Sequence, residues 1–188
     1  MYLQTQNLFL RPVIRQDAQD IFAYSKDSQI GENAGWKPHE TLEETKEILE
    51  ALFMEKPLIF AITQNNQPNV IGTIGLIADP KRDNPNAFML GYSLGFSHWG
   101  KGIMTEAAKV VISYAFSYFD IPLITAYTYH FNTRSQNILK KCGFLQEGIL
   151  RQAEQRFDGL VCDMVCFSLT KSEFDEKTTK IIWQALSE

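Results

Sequence analysis

Two glycines one residue apart, Gly100 and Gly102, separate an apolar stretch from a helical one, and this join constrains the chain more than any other part of it. Upstream, NAFMLGYSLGF (86–96) is mostly apolar, as a central strand covered on both faces is. Downstream, from about Thr105 to Phe119, Ala107, Val110, Val111, Tyr114 and Tyr118 recur at helical spacing. A strand that turns through two glycines into a helix leaves the first helical amides without acceptors in the chain, and the helix dipole favours negative charge in front of them. The turn is therefore a candidate anion trap. Two missing Cβ atoms let the backbone approach a ligand, and Lys101 adds charge at the rim. Alone, the pattern is equally a tight turn with glycines chosen for geometry.

Two nucleotide motifs are absent from the text. No GxxxxGK[ST] P-loop occurs. A dinucleotide fingerprint needs a third glycine where this chain has Thr105.

The rest of the chain reads as alternating elements. LFLRPV (8–13) alternates like a strand, and Gln16 to Lys26 places Ala18, Ile21, Phe22 and Ser25 on one helical face, with Asp17 near its start. Thr41 and Glu44 form a capping box ahead of LEETKEILEALF. LIFAIT and VIGTIGLI flank the turn-rich QNNQPN as a hairpin, and ITAYTYHF (124–131) is a further strand. Residues 133–142 form a short helix with a second capping box, Thr133 and Gln136, and Gly143 as its C-terminal cap. Residues 144–169 form a long hairpin turning near Asp158-Gly159. The whole chain, 1–188, is expected to be one α/β domain around a single mixed sheet, with 171–188 as a C-terminal tail that carries a weakly amphipathic helix.

Hydrophobic residues make up 45% and charged residues 21% of the 188, enough to bury a core. The net charge of −4 argues against a nucleic-acid partner and is compatible with a cationic amine. The N-terminal text lacks the pattern of a signal peptide, and no stretch approaches the roughly 18 apolar residues of a membrane helix. Cys142, Cys162 and Cys166 cannot all pair and include no CxxC; free thiols packed in the core of a cytoplasmic protein, with no metal, are the simplest expectation.

GYSLGFSHWGKGIMTEA resembles motif A of the GNAT acetyltransferase superfamily, in its RimJ/RimL form with a WGKGxxTEA-like string. The resemblance runs from LFLRPV to FSLT and implies the GNAT fold, a mostly antiparallel mixed sheet of about seven strands flanked by about four helices. It implies acetyl-CoA as co-substrate, held at its pyrophosphate by the backbone of Gly100, Lys101, Gly102, Ile103, Met104 and Thr105. The amides near Leu94 and Phe96 are expected to meet the pantetheine arm and the acetyl carbonyl. Ser97 stands where the superfamily often has Gln or Arg, a small departure because that position acts through its backbone.

NTRSQNILKKCGF (132–144) is similar to motif B, an Asn-x-x-Ser start with a Lys-x-Gly-Phe end. Read from the residues alone, Asn132 and Ser135 only satisfy orphan amides at a helix start. Many relatives carry a tyrosine in this helix as the acid for the departing thiolate; here that place is Leu139, which donates no proton. The RimL type uses the serine as acid and a downstream glutamate as base, which maps to Ser135 and Glu154, with Asn132 on the cofactor side. Glu154 is otherwise an exposed charge on a hairpin arm. An amine attacks only when neutral, so a carboxylate base and amide donors for the carbonyl oxygen suffice, without a protein nucleophile.

Other residues are expected to be structural: Glu106, which would repel phosphate unless turned away; His98 and His130, as surface or packed groups; Asp163, a buried acid needing a partner; and Tyr92, as core or cleft wall. Trp36, in the loop NAGWKPH (33–39), is expected to line the amine site. The acceptor implied is the N-terminal α-amine of a protein, with a small-molecule amine (polyamine, antibiotic or metabolite) or a non-catalytic acetyl-CoA sensor as alternatives. Members of the family often form homodimers.

Overall fold

The structure is a computed structural model that describes residues 1–174 and 184–186. Its strands are β1 (Tyr2–Gln4), β2 (Leu8–Pro12), β3 (Ile59–Gln64), β4 (Gly72–Ala78), β5 (Ala87–Leu94), β6 (Leu123–Tyr129), β7 (Leu145–Gln155), β8 (Val161–Thr170) and β9 (Gln184–Leu186). The α-helices are α1 (Ala18–Ser25), α2 (Ser28–Ala34), α3 (Leu42–Ile48), α4 (Ile103–Tyr118) and α5 (Thr133–Lys141). The strands form one sheet in the order β7-β8-β6-β5-β4-β3-β2-β1-β9. Every neighbouring pair is antiparallel except β5 and β6. This is the mixed α/β sheet expected, with two strands and one helix more than the sequence indicated. β1 and β9 are three residues each, too short to show alternation, and pair with one another at the sheet edge.

Alternation along β3 shows how the layers stack. Phe60 and Ile62 face the core under α4, while Ile59 and Ala61 face α1 to α3. Both faces are buried, so the strand reads as an unbroken apolar run. On the first side α4 contributes Ala107, Ala108, Val110, Val111, Ile112 and Ala115, all fully buried. The second side is a smaller cluster around Val13, Ile21, Ile30, Leu49 and Val70.

Four local readings change. The first helix opens with a 3-10 turn, Arg15–Asp17, before α1. Ser28–Ala34, partly inside the stretch read as a loop, is helical: the Asp27 side chain accepts from the Gln29 amide and Gly35 closes the helix in the left-handed conformation. Helix α5 is capped by Asn132, whose side chain accepts from the Ser135 amide at 3.1 Å; Gln136 instead donates to the Tyr129 and His130 carbonyls, so the Thr133/Gln136 box does not form. In the tail, Gln184–Leu186 is a strand rather than a helix, because pairing with β1 satisfies its backbone; the rest of the expected tail helix beyond Phe174 lies outside the described residues. The Thr41 cap of α3 forms as expected, although Glu44 returns its bond to the Glu40 amide. Among the described residues no helix is long and apolar enough to cross a membrane.

The parallel pair positions the site. β5 and β6 are in register only over Ala87–Met89 and Leu123–Thr125. Beyond that β5 stays with β4 and β6 stays with β8, so the sheet splays open between them. A cavity of about 790 Å³ fills the splay and reaches both faces of the sheet.

Candidate active site

At the wide end of the splay, β5 runs through a 3-10 turn, Phe96–His98, into Gly100 and Gly102, with φ of 75° and 80°. Both glycines are left-handed, a conformation that side chains rarely adopt, and a Cβ on either would meet nothing within 4 Å. No described hydrogen bond uses the amides of residues 100–105, which end in the first turn of α4. Trp99 locks the turn: its indole N–H donates to the Leu94 carbonyl at 2.7 Å, and Phe96 packs on it at 5.1 Å. The Arg134 guanidinium lies 5.1 Å over the same indole. Open space, free amides and flanking cations fit a diphosphate. Glu106 is turned away, accepting from Thr5 Oγ1 and from Asn7 on the β1–β2 turn.

The Gly95 amide donates to the Ile71 carbonyl of the β4 side. Amides along a strand alternate between its two edges, so those of Leu94 and Tyr92 point to the splayed edge. The Phe96 amide also has no acceptor among the described bonds. A thioester lying in the splay would present its carbonyl to this edge.

Ser135, in the first turn of α5, lines the cavity and shares a 2.8 Å hydrogen bond with the Tyr92 hydroxyl. Burial pushes the Tyr92 phenol well above its ordinary range, so it remains a donor. The structure thus makes Tyr92 a cleft wall, as expected, and also the partner of Ser135. Asn132 also lines the cavity; its side chain caps α5 and donates to the Asn33 carbonyl of α2.

Glu154 lines the cavity on the opposite face. The Tyr129 hydroxyl donates to its Oε1 at 2.7 Å, and Lys81 Nζ is 3.7 Å from Oε2. Burial and the neighbouring carboxylate push the Tyr129 phenol up, so it stays protonated. A bulge aims Glu154: Leu150 faces Met164 and Glu154 faces Cys162, leaving residues 151–153 opposite Asp163 alone. Gln152 in that bulge is left-handed at φ 49°, and the Asp163 carboxylate accepts from its amide at 2.8 Å. Asp163 is half-buried rather than the buried acid expected, and the Gln152 amide is its structural partner.

Trp36 lines the cavity beside Glu154, with its ring 6.0 Å from His39. The end of α2 rests directly on the Glu154 pair, since a Cβ at Gly35 would fall 2.6 Å from the Tyr129 hydroxyl. His98 borders the cavity, its imidazole lowered by burial and Lys101, whereas His130 is exposed against Phe131. The three cysteines are free and buried, and burial pushes the Cys142 thiol up to about 12. Among the described residues no group of three His, Cys, Asp or Glu side chains could hold a metal ion. Sequence reasoning missed Lys81, Tyr129 and Arg134. Lys81 sits in a turn-rich connection that carries no periodic signal, and Tyr129 reads as one more aromatic on a strand.

A sheet splayed beside a helix-start anion trap defines an acyl-transfer enzyme that takes its acyl group from a coenzyme A thioester. Residues 7–145 match the model of the acetyltransferase (GNAT) domain, and the chain belongs to that family. It is 31% identical over 173 residues to the uncharacterized N-acetyltransferase YoaA of Bacillus subtilis, covering 90% of this chain and 96% of that one. Its fold is shared by the crystal structure of ribosomal-protein-S5-alanine acetyltransferase from Vibrio fischeri, with a TM-score of 0.73, 24% identity and coverage of 93% and 99% of the two chains. Spermidine N-acetyltransferase from Vibrio cholerae, solved with CoA and spermine, shares it with a TM-score of 0.74, 20% identity and coverage of 88% and 96%. The protein is an acetyl-CoA-dependent acyltransferase.

Proposed function

We propose that the protein acetylates the N-terminal α-amine of a protein or peptide, as a RimJ/RimL-like member of the family. One observation carries this reading: Ser135 and Glu154 stand on opposite faces of the sheet yet line the same splay, so an acid and a base can address one thioester from two sides.

The backbone of residues 100–105 holds the pyrophosphate, with Arg134 and Lys101 beside it, while the Leu94 and Phe96 amides receive the thioester carbonyl. Acetyl-CoA supplies the electrophilic carbonyl carbon. Glu154, oriented by Tyr129 and Lys81, takes the ammonium proton at its carboxylate, directly or through one water, and leaves the nitrogen lone pair free. The two amides stabilise the charge that builds on the carbonyl oxygen. As the new C–N bond forms and the C–S bond breaks, Ser135 delivers a proton to the sulfur. Ser135 Oγ and the Tyr92 hydroxyl share a hydrogen bond, and with Tyr92 as its donor the serine proton is free to point there. The nitrogen sheds its second proton as the C–N bond forms, and through water this proton replaces the one lost by Ser135; the proton left on Glu154 passes to solvent, so one proton is released per turnover. An α-amine, with a pKa near 8, reaches its neutral form at lower cost than an alkyl amine near 10.4, which suits a single carboxylate base.

The test is thiol release from acetyl-CoA with short peptides bearing free or blocked N-termini. Release that depends on the free α-amine is expected. Turnover with small amines but with no peptide would overturn the peptide acceptor.

A further inference from the structure

Cross-strand partners share a face of a sheet. Gly91 pairs with Gly75, and the flanking pairs are Met89 with Ile77 and Ser93 with Thr73. Ser93 meets Tyr24 of α1, so this row faces α1 to α3, the side on which Glu154 stands. Gly91 is exposed in the middle of a strand, and a Cβ built there meets nothing within 4 Å. Glycine weakens a strand interior, and one facing open space marks a place where something else approaches. The walls over this gap are apolar: Ile77, 45% exposed, and Met89 on the sheet, with Leu52, 59% exposed, and Phe53 above.

The charges point the same way. Among the described residues that line the cavity, Glu154 is the one carboxylate, against three cations, Lys81, Arg134 and Lys141. Glu154 is itself paired with Lys81. The carboxylates behind Lys81 are already engaged: Asp79 is buried and accepts from Thr125 and Tyr127, and Glu147 pairs with Arg82. A second ammonium on an acceptor would meet Lys81 and no free carboxylate.

Given the amine acceptor proposed above, we infer that Gly91 opens a trough for a bulky apolar group beside a single reacting amine, and that Lys81 excludes polyamines. The specificity determinants are thus Gly91 and Lys81: the first sets the room over the sheet, the second the charge the acceptor can carry.

Calorimetric titration of the CoA-bound protein tests this without turnover, using a tripeptide amide with an N-terminal leucine, hexylamine and spermidine. At least one apolar probe is expected to bind tenfold or more tightly than spermidine. Gly91→Val is expected to weaken that probe at least tenfold while CoA affinity and Tm hold, because the valine side chain enters open space in the fold. Lys81→Glu is expected to raise spermidine affinity at least tenfold. Hexylamine binding without the peptide would keep the trough and sink the peptide acceptor. Spermidine binding as tightly as the apolar probes, no binding of any probe, or a Gly91→Val protein with unchanged apolar affinity would each overturn the inference.

Discussion

The chemistry proposed here depends on a few side chains whose partners set their roles. Glu154 is held by Tyr129 at 2.7 Å and Lys81 at 3.7 Å and lines the splay with its side chain 36% exposed, open to an amine and to water. Replacing it by glutamine keeps the shape and removes the base. Glu154→Gln is expected to lower kcat by about 10²-fold or more while the acetyl-CoA Kd stays unchanged, as steady-state kinetics and calorimetry would show. Tyr92 acts at one remove, through Ser135. Tyr92→Phe deletes the hydroxyl that meets the Ser135 Oγ and carbonyl, and a fall in kcat of about tenfold with unchanged KM for acetyl-CoA is expected. An equal loss in KM would make Tyr92 part of the binding wall alone.

At the scale of elements, the bulge in β7 and the layer α1 to α3 decide where those side chains stand. Asp163 clamps the left-handed Gln152, and the extra residues turn Glu154 toward the splay. Asp163→Ala is expected to cost at least about tenfold in kcat through the lost aim of Glu154, and Asp163→Asn, which keeps an acceptor oxygen, is expected to restore most of it. The segment joining α2 to α3 carries a pH dependence. His39 is buried and hydrogen-bonded through Nδ1 to Thr45 Oγ1 at 2.9 Å, and burial lowers its pKa below the ordinary 6.5. The unfolded chain then binds the proton more readily than the folded one. The contribution of His39 is complete above about pH 6.5 and is lost as pH falls from there through the lowered value. Between pH 7.5 and 5.5 the Tm of the wild type is expected to drop further than that of His39→Gln.

At the scale of the whole molecule, a sheet buried on both faces supports the open splay. Phe60 is 1% exposed at the centre of that sheet and meets Tyr114 of α4 edge-on at 6.2 Å. Phe60→Ala is expected to cost about 3–5 kcal/mol in a denaturant titration, a large part of the 5–15 kcal/mol typical of folded proteins. The splay survives because β5 and β6 each keep a full antiparallel partner on their other side, so parting after Met89 strands few backbone groups within the core.

The features legible in the chain before folding are local ones. The apolar run of β5, the two glycines, the periodicity of α4 and the Asn132-to-Gly143 helix are each written within a dozen or so residues, where steric and hydrogen-bonding rules act directly. The glycine turn into α4 and the succession of the seven longer strands along the chain were therefore legible, as was the family resemblance later matched over residues 7–145. Tertiary structure alone decided the rest. β1 exists by lying between β2 and β9, and β9 by pairing with the edge of β1. Helix α2 is seven residues long, too short to announce itself by periodicity, and is stabilised by the layer it packs in. Lys81, Tyr92 and Tyr129 reached the site from segments far apart in the chain, through strand register and the parting of β5 from β6. Register is a property of paired strands, and no single segment carries it.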